Sequence, residues 1–271
     1  MGAKTVICVV AHADDLTFAA GGTVIRFVEK GYRVYQVVAT DNGKGSHELS
    51  TAELVRANQE EAKKAAVIMG IDDVIFLGYK DGELGDVPSS KLREKIMQII
   101  RYVQADVLMT WDPFAPYEPH PDHRAVGMAA MEAAKFAALP LFHPEHVDDG
   151  LELHYVGERY YFAKHPVDAD KIVDIAGQID RKIDALCQHE SQMKFLMDGL
   201  RMEMAAAGIS VPMIEGLPRN EYRTLVEAVV RGYASQIGRT LKLTYAERFR
   251  YEGFYRLQFF AEEDLKRVAD F

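Results

Sequence analysis

Short apolar runs alternate with longer amphipathic segments from residue 5 onward. The apolar runs are continuous, which is typical of parallel strands that are covered on both faces. The amphipathic segments have the length and period of helices, and each connects one apolar run to the next. This alternation predicts a doubly wound α/β fold of Rossmann type with a mostly parallel sheet.

The predicted strands are 5–10, 34–40, 74–77, 107–110, 160–162 and 171–174. The predicted helices are 21–30, 51–69, 90–103 and about 124–138, and helical periodicity returns at 176–206 and 219–233. We expect the 271 residues to form a single domain (1–271). It has a core of about residues 1–175 and a helical C-terminal cap of about residues 176–271, which ends in an aromatic segment at 249–260.

The net charge and the cysteine content limit the classes of partner and the cell compartment that we expect. A net charge of -9 and a pI near 5.5 disfavour nucleic acid and anionic membrane, which are negatively charged themselves. Two cysteines, Cys8 and Cys187, are too few for a disulfide framework, and no apolar stretch approaches the roughly 18 residues of a membrane span. The first residues also lack the apolar core of a signal peptide. We therefore expect a cytoplasmic protein that acts on a small molecule.

One group of polar residues follows the first predicted strand. His12, Asp14 and Asp15 stand just beyond its carboxyl end, where open α/β sheets bind ligands. Taken alone, His-x-Asp-Asp is more typical of a loop with capping aspartates. The Gly21-Gly22 pair that follows is compatible with a phosphate-binding turn, although the chain has no G-x-G-x-x-G or Walker pattern.

A second group follows the fourth predicted strand. His120, Asp122 and His123 lie on the segment that leaves it, and the loops at neighbouring strand ends can converge. A turn at His120 with Asp122 as a helix N-cap is the alternative interpretation. Two such groups at two strand ends together predict one metal site.

This set of residue types suits catalysis by zinc. A catalytic zinc takes three ligands from His and carboxylate and lowers the pKa of a bound water from about 15.7 toward about 7. Of two adjacent aspartates, one can bind the metal while the other takes the proton of that water. A second imidazole, protonated and held by Asp122, can stabilise an oxyanion and protonate a leaving amine, and His120 fits this role.

These residues resemble the LmbE/PIG-L family of zinc N-deacetylases. The family signatures, Ala-His-x-Asp-Asp followed by Gly-Gly, and His-x-Asp-His, stand here at residues 11–15, 21–22 and 120–123. The resemblance implies the following roles: His12, Asp15 and His123 as metal ligands, Asp14 as general base, and His120 as oxyanion stabiliser oriented by Asp122. It also implies zinc (Zn2+) as cofactor, with iron (Fe2+) as a replacement in the cell, and a homo-oligomer.

The resemblance extends to the segment 78–84, with Asp81 in the pocket. The segments 117–124 and 182–192 are most similar to the diacetylchitobiose deacetylase branch. Two positions depart from the family pattern. Leu16 replaces an acidic residue, and Asn58 replaces an arginine that many members carry, with Arg56 two places earlier. The predicted substrate-binding residues are Asp81, Arg56, Asn42 and Trp111, with Asp41 and Glu118 as further polar candidates. Trp111 either stacks on a sugar ring or packs in the core.

The expected function is removal of an acetyl group from an N-acetylated sugar or sugar conjugate of the N-acetylglucosamine type. A metal-dependent hydratase or lyase on the same scaffold is the first alternative, and another amide hydrolase is compatible with the same site. The second alternative is a non-catalytic module that binds a metal or a nucleotide. The pair of adjacent aspartates favours hydrolysis, since a binding module needs no base beside its metal.

Overall fold

The computed structural model of the protein describes residues 2–254, with all side chains in that range except Met213 and Thr240. The strands are β1 (Thr5–Val10), β2 (Arg33–Thr40), β3 (Asp73–Tyr79), β4 (Val107–Trp111), β5 (Glu158–Phe162), β6 (Lys171–Asp174) and β7 (Ala246–Gly253). The helices are α1 (Asp15–Glu29), α2 (Thr51–Met69), α3 (Ser89–Val103), α4 (Pro121–Phe136), α5 (Pro144–Asp148), α6 (Ile179–Leu186), α7 (Glu190–Ala207), α8 (Pro212–Glu215) and α9 (Arg223–Gly238). No helix among these is long and apolar enough to cross a membrane.

The strands form a seven-stranded sheet in the order β3-β2-β1-β4-β5-β7-β6. Strands β1 to β5 are parallel, and β7 runs antiparallel to its neighbours β5 and β6. The predicted doubly wound, mostly parallel α/β fold is thereby confirmed. The chain winds outward from β1 to one side and then returns to β4 on the other, so the strand order reverses between β1 and β4. Open α/β sheets bind ligands in the crevice at such a switch point.

The helical prediction for the C-terminal part is wrong at residues 246–253, which form β7. This strand lies between β5 and β6, and its Phe249 is fully buried. Charged residues alternate with aromatic ones along β7, and Glu247, Arg250 and Glu252 pair with other side chains of the protein rather than marking an open surface. Arg250, for example, donates hydrogen bonds to both carboxylate oxygens of Asp112. Residues 255–260 of the aromatic segment lie outside the described residues, and the single-domain organisation stays a prediction.

Helix α1 begins at Asp15, six positions earlier than predicted, so that Gly21 and Gly22 lie within a helix. They therefore do not form a phosphate-binding turn. A Cβ at Gly22 would lie 2.7 Å from the side chain of Ile175, and one at Gly21 would lie 3.3 Å from Lys182. The two glycines let the segment 175–182 pack closely against α1.

Helix α4 begins at Pro121 rather than near Arg124, because proline is favoured in the first turn of a helix. Its N-cap is His120, whose Nδ1 accepts a hydrogen bond of 3.3 Å from the main-chain N–H of Asp122. Asp122 is therefore not the N-cap. Asp122 and His123 both lie in the first turn of α4, where they are buried.

Gly127 allows α4 to cross the end of β4 at close range. A Cβ at this position would lie 2.5 Å from the carbonyl oxygen of Trp111, a main-chain atom that cannot move without disturbing β4. We expect Gly127→Ala to lower the free energy of unfolding by about 1–3 kcal/mol, the usual cost of overpacking.

Gly232→Ala is the matched control, because a Cβ at this position of α9 meets nothing within 4 Å. It should raise the free energy of unfolding by up to about 1 kcal/mol through helix propensity. Urea denaturation of both variants measures the difference, and equal effects would contradict the close approach at Gly127.

Candidate metal centre

The two polar groups predicted from the sequence meet at the carboxyl ends of β1 and β4. These strands are direct neighbours in the sheet, so the residues that follow them enter the same crevice. The Nδ1 atom of His12 lies 3.2 Å from the Nε2 atom of His123, although 111 positions separate the two residues. Both imidazoles are largely buried.

Asp15 completes a set of three candidate ligands. Its Oδ2 lies 3.6 Å from His12 Nδ1, and its Oδ1 lies 3.4 Å from His123 Nε2. Ligand atoms held about 2.0–2.2 Å from a tetrahedral zinc are roughly 3.4 Å apart. The short separation of the two imidazole nitrogens, and the approach of one Asp15 oxygen to each of them, bring the three side chains within reach of a single ion.

Other combinations of ligands are also close. At this centre, two groups with one ligand atom per residue have those atoms all within 4.8 Å of one another: His12, His120 and His123, and His12, Asp81, His120 and Asp122. We favour the set with Asp15 because Asp15 approaches the same nitrogen of His12 that faces His123, whereas Asp81 and Asp122 face the other nitrogen. It also brings a carboxylate, whose charge partly neutralises a divalent cation.

Trp111 holds two of the candidate ligands in place. Its Nε1 donates a hydrogen bond of 2.8 Å to Asp15 Oδ2, which also accepts from the main-chain N–H of His12 at 2.9 Å. The other oxygen, Oδ1, is left for the ion. The indole ring stacks on the ring of His123, with centroids 3.9 Å apart and planes at 10°. Trp111 is therefore buried against the candidate ligands. Of its two predicted roles, packing in the core is the one observed, and the substrate-binding role is wrong.

The outer nitrogen of His12 faces two carboxylates. Nε2 lies 3.3 Å from Asp81 Oδ1 and 3.6 Å from Asp122 Oδ2. Such partners hold a proton on this nitrogen and leave Nδ1 with its lone pair toward the ion. Burial by itself lowers the pKa of His12, but Asp15, Asp122 and Asp81 together raise it well above the usual value. Surroundings that stabilise a positive charge on this ring also favour a metal cation.

Asp81 is therefore tied to His12 rather than free for substrate. Its second oxygen, Oδ2, accepts a hydrogen bond of 3.1 Å from the main-chain N–H of Lys44. The carboxylate does border the cavity described below, but both of its oxygens already have partners. The predicted substrate contact thus becomes a positioning contact.

Glu118 plays a similar part for His123. Its Oε1 lies 3.1 Å from His123 Nδ1, although the alignment falls short of a hydrogen bond. The same oxygen accepts from the main-chain N–H of His120 at 3.0 Å and lies 3.3 Å from the ammonium group of Lys164. Glu118 was predicted only as a polar pocket residue, because its approach to His123 depends on how the loop after β4 folds back.

Asp14 stands beside the candidate ligands without joining them. It is the N-cap of α1, and its carboxylate makes no hydrogen bond with another side chain among residues 2–254. Burial and the neighbouring charge of Asp15 raise the pKa of Asp14 to about 6. A carboxylate of this kind can accept a proton near neutral pH.

His120 packs against both candidate imidazole ligands. Its ring centroid lies 4.6 Å from those of His123 and His12. Because its Nδ1 accepts a hydrogen bond from the Asp122 main chain, a neutral His120 carries its proton on Nε2. Burial lowers the pKa of His120, and the nearby charges of His12 and His123 lower it further. The neutral form is thus favoured over the protonated form predicted from the sequence.

The predicted orientation of His120 by the carboxylate of Asp122 is also wrong. That carboxylate accepts hydrogen bonds from the main-chain N–H groups of Gly82 at 2.6 Å and Leu84 at 3.0 Å. It joins the turn after β3 to α4, and it is the main-chain N–H of Asp122 that contacts His120.

A cavity of about 670 Å³ opens over the candidate centre and reaches the side of α7, where Phe195, Leu196 and Leu200 line it. We call it the polar cavity because of the polar side chains at its other end. Asn42, Lys44 and Gln192 contribute polar groups to it. The side-chain oxygen of Asn42 accepts a hydrogen bond of 3.2 Å from the main-chain N–H of Ala13. Asn42 therefore stabilises the loop between His12 and Asp14 as well as lining the cavity.

Arg56 does not reach the cavity, so its predicted role in substrate binding is wrong. The residue is exposed on α2, whereas Asn58, two positions later, is buried and donates a hydrogen bond to the Asn42 carbonyl. Two helical positions differ by about 200° around the axis. A side chain at position 56 thus points away from the site that position 58 faces.

Lys164 is a cavity residue that sequence reasoning missed. It lies just after β5, at the same edge of the sheet as the other site residues. This position at the carboxyl end of a parallel strand is the feature from which its place in the cavity could have been predicted. Its ammonium group lies 5.9 Å from the centre of the Trp111 ring and contacts Glu118. Lys164 thereby places a positive charge at the mouth of the cavity.

The fold and these side chains define the class of protein. It is an α/β protein whose topological switch point carries a candidate His₂Asp metal centre with an uncoordinated carboxylate beside it. This combination is typical of hydrolases that use a metal ion to activate water.

Comparison with known proteins identifies the family. Residues 7–134 match the family model PIG-L, described as GlcNAc-PI de-N-acetylase. The chain is 33% identical over 192 residues to the diacetylchitobiose deacetylase of Thermococcus kodakarensis, which covers 70% of both chains. The chain belongs to the PIG-L family.

A solved structure and a more distant relative agree with this assignment. The N,N'-diacetylchitobiose deacetylase from Pyrococcus horikoshii, complexed with its inhibitor MPG, superposes with a TM-score of 0.76 at 28% identity, covering 93% of this chain and 84% of that one. A probable N-acetyl-alpha-D-glucosaminyl L-malate deacetylase of Bacillus cereus is 27% identical over 72% of this chain and 86% of its own length.

Proposed function

We propose that the protein is a zinc-dependent N-deacetylase that hydrolyses the acetamide of an N-acetylglucosamine-type sugar or sugar conjugate. The observation that carries the proposal is the position of Asp14, an uncoordinated carboxylate adjacent to three convergent ligands and open to a polar cavity. The family relatives named above are deacetylases of such compounds. The cytoplasmic location, the homo-oligomer and a replacement of zinc by iron stay predictions.

His12, Asp15 and His123 would hold the ion. Zinc, when bound there, supplies the acidity that lets a water molecule lose a proton near neutral pH. Asp81 and Trp111 keep His12 and Asp15 in the required orientation, because each donates or accepts a hydrogen bond on the side away from the ion.

The remaining residues move protons and stabilise charge. Asp14 takes a proton from the attacking water as the oxygen of that water bonds to the amide carbon. The Nε2–H of His120 donates a hydrogen bond to the carbonyl oxygen as negative charge develops on it. Asp14 then returns the proton to the leaving nitrogen, so that acetate and a free amine are the products.

The sugar part of the substrate would bind in the polar cavity. Asn42, Lys44 and Gln192 offer donors and acceptors at different points of its wall, which is the pattern that fixes a hydroxylated ring by hydrogen bonds. The substrate is therefore a small molecule.

Acetate release from a panel of N-acetyl sugars tests the proposed function. Zinc-loaded protein should release acetate and free amine in equal amounts from N-acetylglucosamine or N,N'-diacetylchitobiose. A hydratase or lyase would leave the acetamide intact. Protein that carries stoichiometric zinc and releases no acetate from any member of the panel would contradict the proposal.

A further inference from the structure

A second cavity, of about 430 Å³, adjoins the candidate metal centre on the side of α9. Asp14, Asp15 and His123 border this cavity as well as the polar one. Its remaining wall is mainly apolar and comes from α1, β5 and α9: Phe18, Ala19, Phe162, Val230, Ala234 and Ile237. The reacting group would thus lie between a polar space and an apolar one.

Four further charged residues border this cavity: Lys164, Lys182, Glu247 and Arg248. Lys164 contacts Glu118, and Lys182 and Glu247 neutralise each other. Lys182 and Glu247 are 4% and 3% exposed, and the Lys182 ammonium lies 2.6 Å from Glu247 Oε1. The carboxylate also accepts from the main-chain N–H groups of Gly22 and Thr23 at 3.0 and 2.8 Å, and from the Thr23 hydroxyl at 2.6 Å. A carboxylate with four donors has no need of a polar ligand. The Lys182–Glu247 pair therefore offers little to a charged or hydroxylated group, and most of the remaining wall is apolar.

An N-acyl amino sugar has one polar and one apolar part, which meet at the amide carbon. If the sugar occupies the cavity lined by Asn42, Lys44 and Gln192, the acyl carbons extend past Asp14 to the other side. A single methyl group fills only a small part of 430 Å³, a volume within the usual range of about 300–1,000 Å³ for whole ligand pockets.

We propose that the apolar cavity binds the acyl chain of the substrate, and that the protein hydrolyses N-acyl amino sugars with acyl chains longer than acetyl. The inference rests on the proposed function, since it takes the amide to be cleaved at the metal centre. Each methylene moved from water into such a cavity increases kcat/KM by about fourfold. N-hexanoylglucosamine should therefore exceed N-acetylglucosamine in kcat/KM by at least about tenfold, even if only part of the chain is enclosed.

The test compares kcat/KM for N-acetyl-, N-butanoyl- and N-hexanoylglucosamine, measured as release of free glucosamine. Ala234→Leu, which fills part of the cavity, should reduce the ratio of hexanoyl to acetyl hydrolysis by about tenfold or more. Ala228→Leu is the matched control, because Ala228 is exposed on the same helix and does not border the cavity. It should leave the ratio as in the parent protein. Ala19→Leu fills the cavity from α1 and replaces Ala234→Leu if that variant does not fold.

The outcomes separate the inference from the proposed function. A parent protein that cleaves acetyl and hexanoyl substrates equally well, or a preference that neither cavity-filling variant changes, would overturn the acyl site. The acyl site would also be overturned if Ala234→Leu lowered kcat/KM for octyl N-acetylglucosaminide but not for N-hexanoylglucosamine. An alkyl aglycone, rather than the acyl chain, would then occupy the cavity. If no amide is hydrolysed at all, including the acetyl one, the proposed function itself fails.

Discussion

Asp14→Asn is expected to lower kcat for N-acetyl substrates by about 10²–10⁴-fold, the usual contribution of a general base. Asparagine has nearly the volume of aspartate but cannot accept the proton of the attacking water. Because the Asp14 side chain makes no hydrogen bond with another described side chain, its replacement should leave both the fold and the ligand set intact. Acetate release and zinc content, measured on the same preparation, check both parts of the expectation.

Asp15→Asn is the matched control for this variant, since the same change is made one position later. It weakens a candidate ligand and should therefore lose zinc together with activity. If Asp14→Asn lost the metal while Asp15→Asn kept it, the two aspartates would have exchanged roles. Unchanged turnover in Asp14→Asn would remove it from the mechanism.

His12→Ala and His123→Ala are expected to abolish stoichiometric zinc binding, and activity with it. Each imidazole contributes one of the three candidate ligands, with the imidazole nitrogens 3.2 Å apart and an Asp15 oxygen within 3.6 Å of each, and two ligands do not hold zinc in a catalytic site. Competition with a zinc indicator of known affinity measures the loss. Asp81→Asn, which alters only the partner of His12 Nε2, should weaken zinc affinity by about 10–100-fold and not abolish it.

The variants also distinguish the alternative ligand groups. If His123→Ala retained zinc and His120→Ala lost it, the ion would bind to the group of His12, Asp81, His120 and Asp122. If His12→Ala retained stoichiometric zinc while the other variants lost it, every ligand group that contains His12 would be excluded, including the favoured set.

Much of the fold follows from the sequence because its signals are local. The predicted bounds of β1 and α2 agree with the structure to the residue, at 5–10 and 51–69, since a continuous apolar run and a helical period are visible without tertiary context. β7 was missed because three of its charged residues, Glu247, Arg250 and Glu252, find partners within the protein. Its alternation of Arg248, Phe249 and Arg250 with further charged and aromatic residues is the strand signal that was available.

The candidate site was predictable to a similar degree. Its ligands stand at two strand ends that a parallel sheet brings together, so their convergence follows from the fold. The hydrogen bonds around them depend on loop conformations that no local pattern encodes, such as the contact of the Asp122 carboxylate with Gly82 and Leu84. Arg56 is a different case, because helical periodicity alone shows that positions 56 and 58 face opposite ways.

The location of the metal ion is the central claim, and anomalous diffraction at the zinc absorption edge tests it most directly. Crystals of the zinc-loaded protein should show one strong anomalous peak about 2.0–2.2 Å from His12 Nδ1, His123 Nε2 and one oxygen of Asp15. Asp14 should lie close to this peak without binding it. An ordered peak elsewhere, or one coordinated by Asp14 in place of Asp15, would contradict the assignment of the site.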